Sequence, residues 1–132
     1  MLVVTTNDIP GYVIKAVYGE VFGVTVRSLG VGGGLSAGLR SMSRGEVPEI
    51  TQLVVQSRNE AMGRMLYEAH NRGANAVIGM RFDTGEIMQQ LSEVCAYGTA
   101  VLVEPVSDDA KRQYATLAQG QMPHTHAYRT QV

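Results

Sequence analysis

Two periods of hydrophobic spacing run along this chain, one of 3.6 residues between Glu49 and Gly73 and one of 2 on either side of it. In the middle stretch Leu53, Val54, Ala61, Met65 and Ala69 share one face of a 100° wheel, with Ile50 and Met62 at its margins. The spacing predicts a single helix from Glu49 to about Arg72. Pro48 and Glu49 suit its N-terminus, because a fixed φ and a carboxylate both fit the first turn. Gly73 suits its end, where a left-handed residue closes a helix. About 24 residues at ~1.5 Å each make a rod of roughly 36 Å, long for so small a chain. Arg58 falls near the middle of the apolar face. A guanidinium there either reaches water along its own stem or takes a carboxylate or several carbonyls. A snorkelling or structurally paired Arg is expected ahead of a ligand-binding one.

The flanking stretches alternate. Leu2 to Thr6 is a short β-rich run that ends in the turn chemistry of Asn7-Asp8-Ile9-Pro10-Gly11. Tyr12 to Val26 predicts a long strand with Ile14, Ala16, Tyr18, Phe22, Val24 and Val26 on one face. Val13, Lys15, Val17, Val21 and Thr25 take the other, and Gly19 and Gly23 suggest bulges or close backbone approach. Ala74 to Asp83 predicts another strand, followed by a turn over Asp83-Thr84-Gly85-Glu86. Glu93 to Glu104 predicts a third. It carries Cys95, Tyr97, Thr99, Val101 and Val103 on one side and Val94, Ala96, Gly98, Ala100 and Leu102 on the other, and Pro105 ends it. A short helix from Asp108 to Ala118 follows, capped by Ser107 or Asp108, and then a polar tail from Gly120 to Val132 that predicts a mobile end.

These elements predict an α+β fold: an antiparallel sheet of three long strands plus a short N-terminal one, with one long helix packed on one face. A helix covers one face of such a sheet. The strands Tyr12–Val26 and Glu93–Glu104 are apolar on both faces, so the second face needs another cover. Self-association is the economical answer.

Composition narrows the function classes. The 132 residues make one domain of modest core, with a formal net charge of −1. No basic footprint for nucleic acid or for an anionic membrane is present, and the lack of tryptophan disfavours a base-stacking surface. Cys95 is the only cysteine, which rules out an internal disulfide and suits a reducing compartment. No signal-peptide pattern and no apolar run of ~18 residues is found, so a cytoplasmic protein is expected.

Candidate chemistry is sparse. Ser28 to Gly45 is rich in glycine, but Gly30-Val31-Gly32-Gly33-Gly34 has neither a Walker ending nor the dinucleotide spacing. A flexible linker or oligomer contact is expected there, with a short helix over Leu35 to Met42 as an option. Soft metals want thiolate, thioether or imidazole ligands. The weak candidates are Cys95, His70, His124 and His126, and no Cys-x-x-Cys or His-x₃-His pair joins them. Cys95 sits in an apolar strand, where an inert core thiol is expected. His70 falls on the polar side of the helix. His124 and His126 lie in the tail. No catalytic residue is expected, since no serine or cysteine has an evident His partner and carboxylates occur singly.

The run Gly73-Ala74-Asn75-Ala76-Val77-Ile78-Gly79-Met80-Arg81-Phe82-Asp83 resembles the YbjQ-like family of small bacterial and archaeal proteins. A second block, Ala96-Tyr97-Gly98-Thr99-Ala100-Val101, and Arg58, Ala61 and Ala69 in the helix also fit, as do Thr5-Thr6 and the Gly19–Gly23 strand. The resemblance covers residues 1–106 and leaves 107–132 as an extension. Where many members have Gly-Gly-Arg before the helix, this chain has Ser43-Arg44-Gly45. The resemblance implies a dodecin-subunit-like two-layer arrangement and assembly as a pentameric ring. The family carries a heavy-metal-binding label and no established biochemical role. The chain is therefore expected to be a non-catalytic homo-oligomer, structural or small-ligand binding, without a cofactor. The alternative is a heavy-metal binder whose ligands are shared between subunits.

Overall fold

The computed structural model of the chain describes residues 1–28 and 48–118. In chain order its elements are β1 (Leu2–Val3), β2 (Tyr12–Ser28), α1 (Pro48–Asn71), β3 (Ala76–Met88), β4 (Leu91–Pro105) and α2 (Asp108–Ala118). The strands form one sheet in the order β1-β3-β4-β2. The Gly30–Gly34 segment, the short helix expected over Leu35 to Met42, and the tail with His124 and His126 lie outside the described residues.

The α+β fold with one long helix on one face is as the patterning predicts. The sheet is mixed rather than purely antiparallel: β2–β4 and β3–β4 are antiparallel, but β1 runs parallel to β3, Leu2 opposite Ala76. A two-residue strand has no alternation to reveal its direction, and backbone bonds from Leu2 to Asn75 and from Val4 to Val77 set it.

Helix α1 ends as its sequence dictates. Gly73 has φ 88°, and the amides of Gly73 and Ala74 donate to the carbonyls of His70 and Ala69, a Schellman closure. Its buried line is Ser57, Ala61, Met65 and Ala69, one residue per turn. Val54, expected inside, is exposed. The line is narrow because helix and sheet backbones approach closely at Gly23, so small residues serve where a broad apolar stripe was expected. Met65, Ala61 and Ala69 pack on Val21, Val77, Val94, Ala96 and Ala100 to form the principal core.

Two predicted boundaries move. The expected turn at Asp83–Glu86 is strand: Thr84, Gly85 and Glu86 pair with Val94, Glu93 and Ser92. The reversal falls at Gln89-Gln90 instead, with Gln90 at φ 71°. Turn propensity yields here to cross-strand pairing. In β2, register shifts between Ile14 and Ala16 and between Val17 and Gly19 each change which face the strand presents. Ile14 and Phe22 share a face as expected, but Ala16 changes places with Val17.

The second face is partly covered by the chain itself, a cover that face counting missed. Leu2, Ile9, Ala76, Val101 and Val103 are buried there, with Tyr12 and Leu117 packed against them. Helix α2, capped by the Ser107 hydroxyl accepting from the Ala110 amide, is tied to this end through Tyr12, whose hydroxyl donates to the Ala110 carbonyl.

Candidate functional site

The uncovered part of the second face is built from three strands in register. Phe22 lies opposite Tyr97, Val24 opposite Cys95, and Val26 opposite Glu93; on the other side of β4, Arg81 faces Tyr97 and Asp83 faces Cys95. Strand residues two apart share a face, so these side chains form one continuous surface. It is apolar along β2: Val17 is 65% exposed, Phe22 58%, Val26 50% and Ile14 37%. Isolated exposed apolar residues are common on monomers; here four of them stand in a row on one face.

The outer edge of β2 is treated differently. Arg64 donates to the Val24 carbonyl at 2.5 Å, and Arg72 donates to the Tyr18 and Glu20 carbonyls at 3.3 and 2.8 Å. Two guanidinium groups, one from α1 and one from the turn that follows it, thus occupy acceptors that an added strand would need. The face is open while the edge is partly guarded.

Cys95 stands on this open face and not in the helix-side core, which corrects the expectation of a core thiol. Its neighbours Val94 and Ala96 are the buried ones, because successive residues of a strand point to opposite faces. Burial pushes the Cys95 thiol up, and the carboxylates of Glu93, Asp83 and Glu20 push it further. Glu93 shares the face of Cys95 by alternation, but Asp83 and Glu20 come from the two neighbouring strands and could not be found from sequence.

His70 is exposed in the last turn of α1, on the polar side as predicted. It borders a small open cavity of about 190 Å³ with Met1, Ala74, Asn75 and Tyr114. The fold does not bring it to Cys95. Among the described residues no group of three His, Cys, Asp or Glu side chains is placed to hold a metal ion. A lone thiol does not by itself make up the ligand set of a heavy-metal centre within one subunit. Arg58, singled out by the sequence, has its Cζ 5.1 Å from the centroid of the Phe82 ring.

Residues 1–104 match the profile of a family described as "YbjQ_1: Putative heavy-metal-binding". The chain belongs to this family. A UPF0145 protein of Mycobacteroides abscessus is 55% identical over 106 residues, covering 80% of this chain and 99% of that protein. One from Thermoplasma acidophilum is 50% identical over 112 residues, covering 85% and 94%. A crystal structure of a protein of unknown function from Pediococcus pentosaceus, assigned to the DUF74 family, superposes with a TM-score of 0.54 at 20% identity. It covers 79% of this chain and 98% of that one, a likeness of fold alone. The YbjQ family label names a metal without naming ligands.

Proposed function

We propose that this protein is a non-catalytic, cytoplasmic homo-oligomer that acts as a structural or small-ligand-binding module, its subunits joined through the open sheet face. The observation that carries this reading is the exposed row Ile14, Val17, Phe22 and Val26, on a face whose other end the chain already buries. Burying such a row in a second copy removes apolar surface from water, at roughly 25 cal/mol per Å². The guarded β2 edge favours face contact over strand addition. A dodecin-like arrangement and a ring of five are what the family resemblance suggests for the geometry. No helix among the described residues is long and apolar enough to cross a membrane.

A second reading, heavy-metal binding, rests on the family's description. Cys95 on the assembly face is the one observation that favours it, because copies meeting there would bring several thiols together. Ligands shared between subunits would then supply what one subunit lacks.

Native mass spectrometry of untagged protein tests both. The expected result is a multiple of the 14.2 kDa subunit mass without added metal mass. A monomer at micromolar concentration overturns the first reading, and stoichiometric metal retained by the oligomer promotes the second.

A further inference from the structure

Helix α2 is tied to the fold at its start. Ala110 is buried beside Gly11, and the Tyr12 hydroxyl donates to the Ala110 carbonyl at 3.2 Å and to Gln113 Oε1 at 2.9 Å. Ala110, Tyr114 and Leu117 recur at helical spacing and share one side of α2. Past Ala110 that side borders a gap. Across an open cavity of about 190 Å³, Tyr114 and Leu117 meet His70 from the last turn of α1, Ala74 and Asn75 from the connection to β3, and Leu2 of β1.

The cavity has an apolar floor and a polar rim. Leu2 and Ala74 are buried, and Leu117 is partly buried. No Lys, Arg, Asp or Glu is among the described residues that line it, so a charged ligand finds no counter-charge there. Asn75 is already occupied, because both ends of its amide bond the Val103 backbone. Its Nδ2 also reaches the Tyr114 Oη at 3.4 Å, so that oxygen accepts and its own proton stays free. The Tyr114 O–H donates to no described residue, and the His70 ring bonds none. Tyr12 is the contrast: its hydroxyl joins two groups of α2 to the sheet, whereas the Tyr114 hydroxyl holds only the long contact to Asn75. An apolar floor with a few polar groups at its rim is the make-up of a small-molecule site.

We propose that this cavity binds a small uncharged aromatic molecule with one hydroxyl group, a phenol. An apolar cavity of about 150 Å³ takes a benzene ring, and the space here is slightly larger. The ring lies over Leu2, Ala74 and Leu117, beside the Tyr114 ring, and leaves water for an apolar floor. The hydroxyl accepts from the Tyr114 O–H and donates to the His70 ring, which uses both of its bonding directions. The proposal gives the small-ligand part of the function proposed above a place in the fold and rests on that reading. It does not use the exposed row Ile14, Val17, Phe22 and Val26, so assembly is a separate question.

The test follows the histidine ring proton resonances of the full-length protein, with His70 told from His124 and His126 through His70→Gln. Phenol, toluene and benzoate are each titrated to millimolar concentration. The expected result is a saturable shift of the His70 signal with phenol, about three- to ten-fold weaker binding of toluene, which lacks the hydroxyl, and no saturation with benzoate. Tyr114→Phe keeps the ring and is expected to remove the preference for phenol over toluene. Leu117→Trp fills the cavity and is expected to abolish binding of both. A His70 shift that grows linearly with phenol overturns the proposal, as does benzoate binding as tightly as phenol, or phenol binding undiminished in Leu117→Trp. The titrations of the unsubstituted protein decide the matter even where a variant does not fold. An oligomer that fails to bind phenol overturns this site and leaves the assembly standing.

Discussion

Gly23 of β2 and Ala61 of α1 meet backbone to backbone: a Cβ built on Gly23 would overlap the Ala61 carbonyl oxygen and lie 2.8 Å from the Arg64 Cβ. Helix and strand can approach this closely only because one side contributes no side chain and the other a methyl group. Gly23→Ala is expected to destabilise by ~1–3 kcal/mol through overpacking, since the obstacle is helix backbone and cannot swing aside. Ala61→Asp is expected to cost ~3 kcal/mol or more, because it buries an unpaired charge at a position with no exposed surface. Urea unfolding of both variants checks the pair, and an unchanged midpoint for either would mean the helix does not sit on β2 as described.

Asn75 replaces a strand residue with its side chain. Its Nδ2 donates to the Val103 carbonyl at 2.9 Å and its Oδ1 accepts from the Val103 amide at 2.7 Å. Asn75→Ala leaves both backbone groups without that partner, with an expected loss of ~1–3 kcal/mol. Asn75→Asp keeps the acceptor but turns a carboxylate toward a carbonyl, so it is expected to recover only part of the loss. Thermal unfolding ranks the three proteins, and Asp equal to Asn would contradict the donor role.

The proposed assembly through the open face would make Phe22 and Val17 sensitive to charge. Phe22→Asp and Val17→Asp are expected to lower the solution mass toward that of the monomer while far-ultraviolet circular dichroism stays native. Tyr67→Asp, on the exposed side of α1, is the control expected to leave the mass unchanged. Light scattering that shows the same oligomer in all three would place the interface elsewhere.

The Cys95 thiol is held above the ordinary thiol range, first by burial and then by Glu93, Asp83 and Glu20. A raised pKa means less thiolate at any given pH. Alkylation is therefore expected to be slower than for an unstructured cysteine at mildly alkaline pH, and to keep rising with pH after the unstructured thiol has levelled off. Asp83→Asn removes one of the repelling charges and is expected to speed the reaction. The same thiol is expected to bind neither Zn²⁺ nor Cd²⁺ tightly in reduced, untagged protein. Submicromolar affinity by calorimetry, lost in Cys95→Ala with the oligomer intact, would reverse that.

The sequence by itself determined the elements whose cause is local. The 3.6-residue period and Gly73 set α1 and its end, because a helix closes its own hydrogen bonds and its cap needs one left-handed residue. Alternation in Glu93 to Glu104 placed Cys95, Tyr97 and Thr99 opposite Val94, Ala96 and Gly98, because a strand without bulges keeps strict parity. The metal candidates were legible as residues but not as a site.

The tertiary structure decided whatever depends on a partner strand. Two bulges in β2 exchange Ala16 and Val17 between faces, and the parallel pairing of Leu2 with Ala76 makes the sheet mixed. Thr84 to Glu86 became strand because β4 lay alongside to receive it. Cys95 left the expected core because the helix covers only the other face, and Glu20 and Asp83 joined Glu93 around it through the register of the two neighbouring strands. Arg58 acquired Phe82 in the same way. Sequence distance carries no record of such neighbours; they exist only once the strands have paired and the helix has settled on Gly23.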